Sequence, residues 1–210
     1  MPAMDDMEEV YRRLQPDEIP WNIAEPPALL TQLLASGRIL PCRMIEAGCG
    51  TGNHARVFAA HGFDVTGVDI APTAVAIARR RTAAEGLDCR FVTADLTAVP
   101  PAITEKFDFA WEWEVLHHIA PVLRPAWMHN LHHLLNPGAS YVSVCFSEED
   151  EQFGTGKLRR TPIGTTLYFS SEAELRALFS RHFIVEELRT MRIPGRRGAH
   201  AVIHARLTRP

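Results

Sequence analysis

Cysteine is scarce in this sequence of 210 residues, and long apolar runs are absent. The four cysteines are spread singly, without a C-x-x-C pair, which favours reduced thiols in a cytoplasmic protein over disulfides or a zinc site. No stretch is long enough to span a membrane, and residues 1–9 are acidic and lack the apolar run of a signal peptide. The net charge of −3 gives no reason to expect a polyanionic partner.

A glycine-rich segment lies between two acidic residues. Residues 45–53 read I-E-A-G-C-G-T-G-N, and Asp69 ends the next predicted strand. Glycine lets the backbone turn sharply and approach a ligand closely, and a carboxylate after the second strand is where a ribose would lie. The pattern predicts a site for a cofactor that contains a nucleoside.

The glycine spacing separates this site from a dinucleotide site. A dinucleotide fingerprint reads G-x-G-x-x-G/A, whereas here Gly48, Gly50 and Gly52 alternate and Asn53 follows. Glu46 adds a negative charge, which disfavours a pyrophosphate and favours a cationic ligand.

From residue 41 onward, predicted strands and helices alternate, which is typical of a parallel sheet covered on both faces. We predict an α/β fold with a doubly wound, mostly parallel sheet. Residues 1–40 are expected to form an N-terminal helical extension or cap, and residues 41–210 a single domain. The predicted strands span 43–46, 64–69, 89–94, 107–112 and 141–146, followed by an irregular insert at 147–169 and an antiparallel hairpin at 183–193 and 199–207.

Acidic residues end four of the predicted strands. Ligands of open α/β sheets bind beyond the carboxyl ends of the strands, where the strand order switches. Four carboxylates at that edge suit a sulfonium that also carries an ammonium group; they are Glu46, Asp69, Asp95 and Glu112.

The run E-x-G-x-G-x-G resembles the first motif of class I S-adenosylmethionine-dependent methyltransferases. Residues 90–96 (RFVTADL) and 107–119 (FDFAWEWEVLHHI) are similar to the third- and fourth-strand segments of that family. The resemblance covers about residues 40–145 and implies a Rossmann-like fold and S-adenosylmethionine as the cofactor.

The resemblance also implies roles for single residues. Glu46 would lie near the amino-acid end of the cofactor, and the glycines near its ribose and methionine portions. Asp69 would meet the ribose, Ile70 would also contact the cofactor, and Asp95 with the backbone amide of Leu96 would meet the adenine. Glu112 is expected among the cofactor-binding residues too. Two alternatives stay open: Asp69 as a helix cap and Asp95 as an ordinary turn residue.

The segment at 19–27 (IPWNIAEPP) is similar to one in the thiopurine, halide/thiol and tellurite-resistance methyltransferases. In that subset a tryptophan closes over the cofactor, so Trp21 is expected either to do the same or to anchor the extension. The segment W-E-W-E and the histidine pair at 117–118 depart from the pattern of the subset.

Three polar residues are candidates beside the transferring methyl group: Glu114, His117 and His118. A neutral histidine can take a proton from an approaching thiol, hydroxyl or amine. The alternative is that the histidine pair only packs where strand meets helix. Another two histidines, His129 and His133, are expected on a solvated helix face rather than at a metal, and no metal is expected.

The sequence therefore predicts a methyltransferase with a small-molecule acceptor. Base methylation of nucleic acid is disfavoured, because no N/D-P-P-Y/F/W motif is present and the one Pro-Cys pair, at 41–42, precedes the first strand. The insert is expected to act as a substrate lid, with Phe153, Tyr168 and Phe169 as apolar walls. Two alternatives are a macromolecular acceptor, protein or RNA, and a cofactor-binding module without turnover. The sequence leaves the oligomeric state open.

Overall fold

A computed structural model describes residues 7–98, 103–196 and 198–210. Its helices are α1 (Met7–Arg13), α2 (Ala28–Ala35), α3 (Asn53–Ala60), α4 (Pro72–Ala84), α5 (Arg124–Leu134) and α6 (Glu172–Phe179). Its strands are β1 (Arg43–Ala47), β2 (Asp64–Asp69), β3 (Cys89–Thr93), β4 (Phe107–Trp113), β5 (Leu135–Phe146), β6 (Leu158–Arg160), β7 (Thr166–Tyr168), β8 (Ile184–Gly195) and β9 (Gly198–Thr208).

Seven strands form one twisted sheet in the order β3-β2-β1-β4-β5-β9-β8. The first five run parallel, and β9 pairs antiparallel with both β5 and β8. The strand order reverses between β1 and β4, so a ligand crevice is expected beyond the carboxyl ends of these two strands. The predicted Rossmann-like, doubly wound sheet with a C-terminal antiparallel hairpin is confirmed.

Helices cover both faces of the sheet. One apolar cluster packs α5 and α6 against the sheet through residues such as Met128, Leu131 and Phe179. The opposite cluster joins α2, α3 and α4 to the sheet through residues such as Leu30 and Phe58. The central strands β1 and β4 lie between these layers and are almost fully buried, in keeping with their mostly apolar sequences.

Local sequence explains several helix ends. Pro72 occupies the first turn of α4, where its missing N–H costs nothing. Ser171 and Glu174 form a reciprocal capping box at the start of α6. His129 and His133 on α5 are exposed, as expected. Among the described helices, none is both long and apolar enough to cross a membrane.

Two expectations about the second half of the chain were wrong in detail. The insert is not irregular throughout, because β6 and β7 pair as a small antiparallel sheet inside it. The fifth strand begins at Leu135 rather than Tyr141. Leu135 already pairs with Phe107, and an irregularity in the register accommodates the Pro137-Gly138 step.

Candidate functional site

A cavity of about 320 Å³ lies at the switch in strand order, next to the loop between β1 and α3. Its volume lies within the range of about 300–1,000 Å³ that is typical of small-molecule sites. Ten residues singled out in the sequence line it: Trp21, Glu46, Gly48, Gly50, Asp69, Ile70, Asp95, Leu96, Glu114 and His118. The remaining three, Gly52, Glu112 and His117, do not.

The glycine loop needs glycine for space as well as for conformation. Gly48 and Gly50 have φ angles of 75° and 51°, in the left-handed region that favours glycine. A Cβ on Gly50 would lie 2.8 Å from the hydroxyl of Tyr11, and one on Gly48 would lie 2.3 Å from a methyl carbon of Val115. The loop can therefore adopt this position beside Tyr11 and Val115 only with glycine at positions 48 and 50.

Asp69 ends β2 and holds the loops on either side of it. Its carboxylate accepts the backbone N–H of Gly50 at 2.8 Å and that of Ala71 at 2.9 Å. Burial raises the pKa of this carboxyl to about 6, although those two amides oppose the shift. Each carboxylate oxygen keeps acceptor capacity beyond its amide bond, so Asp69 can serve the loop and a ligand together.

Glu46 at the end of β1 is buried with an unsatisfied oxygen. Its Oε1 lies 3.4 Å from Nδ1 of His54, whereas its Oε2 has no hydrogen-bond partner. Burial raises the pKa of this carboxyl above its usual value. A buried acceptor without a partner is costly, so this oxygen suits a ligand that brings its own donor or positive charge.

His54 is a cavity residue that our sequence analysis missed. It lies in the first turn of α3, and the indole N–H of Trp111 donates a hydrogen bond to its Nδ1 at 3.2 Å. Its ring also contacts Trp113 edge-on, at 5.8 Å between centroids. The available signal was its place two residues after Gly52, at the N-terminal end of the helix that follows the loop.

Asp95 and Leu96 follow β3 at the same edge of the sheet. The Oδ1 atom of Asp95 accepts the backbone N–H of Thr97 at 2.8 Å and its hydroxyl at 2.7 Å, so Asp95 shapes the turn as well as lining the cavity. Leu96 is buried, whereas Ile70 exposes 52% of its surface at the mouth.

The N-terminal extension closes one side of the cavity. Trp21 donates its indole N–H to the hydroxyl of Tyr11 at 2.9 Å and contacts the ring of His118 edge-on at 5.3 Å. Asn22 accepts hydrogen bonds from Thr51 and Asn53, which ties the extension to the glycine loop. Tyr11 and the nearby Glu8 belong to no sequence motif, and Asn22 is an unspecified position of the 19–27 segment, so none of the three was predicted at the site.

Glu114 lies just beyond β4 in an unusual backbone conformation. Its φ of 60° is uncommon for a residue with a side chain, and its N–H is held by the carbonyl of Val144 at 2.7 Å. Burial, together with the neighbouring Glu112, raises the pKa of the Glu114 carboxyl to about 7. A strained residue whose carboxyl titrates near neutrality and lines a cavity is a candidate acid–base group.

Glu112, by contrast, points away from the cavity. It is fully buried, and its Oε1 accepts the backbone N–H groups of Val115 at 2.8 Å and Leu116 at 3.0 Å. Its other oxygen accepts the hydroxyl of Ser143. Glu112 therefore fixes the turn that carries Glu114 instead of joining the carboxylates at the cavity.

The two histidines that follow have different surroundings. His118 lines the cavity beside Trp21. His117 is buried, with its ring stacked on Phe146 at 4.2 Å and its Nδ1 accepting the N–H of Phe146 at 3.3 Å. Burial lowers the pKa of His117 well below its usual value, so this ring stays neutral and packs as a core residue.

Gly52 and the insert also lie away from the cavity. A Cβ on Gly52 would meet Ala78 at 3.0 Å and Phe91 at 3.2 Å, so this glycine allows α3 to pack closely. No residue of 147–169 lines the cavity. Phe169 is fully buried in a separate apolar cluster, and the hydroxyl of Tyr168 donates to Glu174. The insert is therefore not the wall that we expected.

These residues fit an adenosyl sulfonium better than a phosphate-bearing nucleotide. The unsatisfied oxygen of Glu46 and the carboxylate of Glu114 would repel a pyrophosphate, and both suit positive charge. The glycine loop lines the cavity with the backbone of Gly48 and Gly50. Within the described ranges, no group of three or more His, Cys, Asp or Glu side chains is placed to hold a metal ion.

Comparisons with known proteins agree with this fit. A family model described as a methyltransferase domain matches residues 44–138. The probable thiol methyltransferase 2 of Arabidopsis thaliana is 28% identical over 137 residues, which cover 64% of this chain and 60% of that protein. The chain thus spans less than two thirds of this relative. The 2-heptyl-1-hydroxyquinolin-4(1H)-one methyltransferase of Mycobacteroides abscessus is 26% identical over 194 residues, covering 90% and 81%.

A solved structure has the same fold over nearly the whole chain. It was described in work on the conversion of a disulfide bond into a thioacetal group during echinomycin biosynthesis. It superposes with a TM-score of 0.80 at 26% identity, covering 97% of this chain and 90% of that one. The sheet order, the glycine loop with its carboxylates and these matches together support a class I S-adenosylmethionine-dependent methyltransferase.

Proposed function

We propose that this protein transfers a methyl group from S-adenosylmethionine to a small-molecule acceptor bound in the same cavity. The observation that carries this proposal is the convergence of two kinds of group on one cavity. Glu46, Asp69 and Asp95 come from the ends of neighbouring strands, and Glu114 and His118 come from the turn after β4. The names of the thiol and hydroxyquinolone methyltransferase relatives support a small acceptor.

Three carboxylates and the glycine loop would hold the cofactor, whose sulfonium supplies an electrophilic methyl group. Asp69 has acceptor capacity left for ribose hydroxyls, and the free oxygen of Glu46 can accept from an ammonium group. Asp95 and the backbone amide of Leu96 would meet the adenine. Trp21, with Ile70 at the mouth, would limit the access of water.

Residues in the turn after β4 would position the acceptor and remove its proton. Positioning alone can account for much of the acceleration of a displacement reaction. Glu114, with a pKa of about 7, is matched to removing a proton from the acceptor near neutral pH, and His118 is the second candidate. Glu112 and His117 act as positioning residues, because they fix the backbone and the packing of this turn.

The test is methyl transfer from labelled cofactor to a panel of thiols, phenols, amines and halides. Turnover of one class of small molecule supports the proposal. Cofactor binding without any turnover would favour a binding module, and salt-sensitive binding to bulk RNA or protein together with its methylation would identify a macromolecular acceptor. We also propose a cytoplasmic location without a membrane partner, which the free state of the four described cysteines supports.

A further inference from the structure

Among the ionisable side chains that line the cavity, acidic ones predominate. Five carboxylates line it: Glu8, Glu46, Asp69, Asp95 and Glu114. None of the described lining residues is a lysine or an arginine. The histidines His54 and His118 are the remaining lining side chains that can carry a positive charge.

Two arginines lie close to the site, but their hydrogen bonds go to groups other than the five carboxylates. Arg81 donates to the hydroxyl of Thr51 and to Oδ1 of Asn53 behind the glycine loop. Arg124 is buried and donates to the carbonyl of Ile119 and the hydroxyl of Ser170, so it holds the turn after β4 from the side of the core. Neither lines the cavity.

Only some of the five carboxylates are compensated by donors of the chain. Asp69 and Asp95 accept backbone N–H groups, and Glu8 accepts the N–H and hydroxyl of Thr73 at the start of α4. Glu46 keeps an oxygen without a partner. The Glu114 carboxylate has no hydrogen bond or ion pair with the described part of the chain. The charged group that acts on it is the carboxylate of Glu112, which repels it.

Bound S-adenosylmethionine adds one net positive charge, since its sulfonium and ammonium outweigh its single carboxylate. Burial raises the pKa of the Glu46 and Glu114 carboxyls, so at a pH above both pKa values their two negative charges exceed the single positive charge of the cofactor. An acceptor that arrives as an anion would therefore meet net repulsion in a partly desolvated cavity, where charges interact more strongly than in water. The other walls are apolar or aromatic, with Trp113, Leu123 and Trp127 among them.

We propose, building on the function above, that the site takes its acceptor as an uncharged thiol or hydroxyl with an apolar body and refuses small anions such as thiocyanate and halides. Glu114 then acts as the base. The X–H bond of the acceptor breaks and its proton passes to a carboxylate oxygen of Glu114. The electron pair left on X forms the new bond to the methyl carbon, and the pair of the broken carbon–sulfur bond stays on sulfur.

The first experiment measures anion exclusion without any turnover. Tryptophan fluorescence of the protein saturated with S-adenosylhomocysteine is quenched with iodide and with neutral acrylamide, at constant ionic strength and pH 8. Two tryptophans at the cavity, Trp21 and Trp113, are only half-buried. At pH 8, above its pKa of about 7, Glu114 is largely ionised. We expect the quenching constant of the tryptophan fluorescence to be at least twofold smaller for iodide than for acrylamide.

The variant Glu114→Gln removes the charge with little change in shape. We expect its iodide quenching to rise at least twofold while acrylamide quenching stays constant. Glu25→Gln is the matched control, because Glu25 is exposed on the same N-terminal segment as Trp21 and does not line the cavity. Equal quenching of the wild type by both agents, or no gain in Glu114→Gln, overturns the proposal.

The second experiment compares a neutral thiol with an anionic thiocarboxylate of similar size and with two small anions. Benzyl mercaptan, thiobenzoate, thiocyanate and iodide are offered with labelled cofactor. Transfer to benzyl mercaptan at least tenfold faster than to each anion supports the proposal, whereas an anion methylated as fast as the thiol overturns it. If the protein does not bind S-adenosylhomocysteine at all, it is the proposed function that fails, and the quenching of the free protein still tests the exclusion of anions.

Discussion

The indole N–H of Trp21 donates to the hydroxyl oxygen of Tyr11 at 2.9 Å, across the entrance of the cavity. That hydroxyl lies 2.8 Å from the point that a Cβ on Gly50 would occupy. The two aromatic side chains therefore join the N-terminal extension to the loop that is proposed to hold the cofactor. Binding of the cofactor and order in the extension should depend on each other.

Trp21→Phe keeps most of the apolar surface and removes the donor. We expect the affinity for S-adenosylhomocysteine to fall about three- to tenfold, as for the loss of one hydrogen bond. Tyr11→Phe removes the acceptor and should have a similar effect. Isothermal titration calorimetry measures both. Unchanged affinity in both variants would mean that the extension does not contribute to the cofactor site.

Gly50→Ala tests whether the loop needs space as well as a left-handed backbone. Gly37→Ala is the matched control, since Gly37 has a φ of 65° but nothing within 4 Å of an added Cβ. We expect each variant to lose about 1–2 kcal/mol in the free energy of unfolding from its conformation. Only Gly50→Ala should also displace Tyr11 and weaken cofactor binding at least about tenfold. Urea denaturation and calorimetry separate the two effects, and equal affinities would contradict the assigned role of the loop.

Asp69→Asn tests the assignment of the ribose contact. The amide keeps one acceptor oxygen for the loop but loses the charge, so we expect the dissociation constant for the cofactor to rise at least about tenfold. Asp64, at the other end of β2, pairs with Arg43 on the surface. Asp64→Asn should leave the affinity unchanged. A similar affinity of the wild type, Asp69→Asn and Asp64→Asn would show that Asp69 does not contact the cofactor.

The charge on Glu114 should destabilise the protein without its cofactor at high pH. The pKa of this carboxyl rises from 4.5 to about 7 on folding, so the folded state binds the proton more tightly than the unfolded state does. The free energy of unfolding therefore falls as the pH rises from about 4.5 to about 7. Glu114→Gln avoids this cost and should be about 1–3 kcal/mol more stable than the wild type at pH 8, with a much smaller difference at pH 5.

Urea denaturation at the two pH values measures this difference. Glu149→Gln is the control, because Glu149 is exposed and its carboxylate should change stability by less than about 0.5 kcal/mol at either pH. A Glu114→Gln variant that is less stable than the wild type by the same amount at both pH values would refute the account of this carboxyl.

The sequence was sufficient to predict the fold wherever local sequence signals and tertiary structure agree. The glycine loop, β2 and the alternation of strands with helices follow from turn residues and apolar periodicity, which the fold preserves. The small sheet of β6 and β7 does not follow from them. Its Arg159 is buried because it donates to the carbonyls of Glu148 and Gly156 and its guanidinium lies 3.9 Å from the ring centroid of Phe169. Glu148 and Phe169 are about ten residues away along the chain, and no sequence pattern marks these contacts.

At the site, the ends of the strands were easier to predict than the directions of side chains. Glu112 and Glu114 are both acidic and two residues apart, yet Glu112 bonds the backbone of its own turn and Glu114 lines the cavity. The positive φ of Glu114 makes this difference, and the sequence carries no sign of it. His54 and Tyr11 were missed because they reach the cavity from neighbouring helices, through tertiary packing.

Calorimetric titration of the well-folded protein with S-adenosylmethionine, S-adenosylhomocysteine and a nicotinamide dinucleotide tests the central claim most directly. We expect saturable binding of both adenosyl sulfur compounds at one site per chain and no heat from the dinucleotide, because the carboxylates at the glycine loop repel a pyrophosphate. Tight binding of the dinucleotide, without uptake of either sulfur compound, would contradict the account.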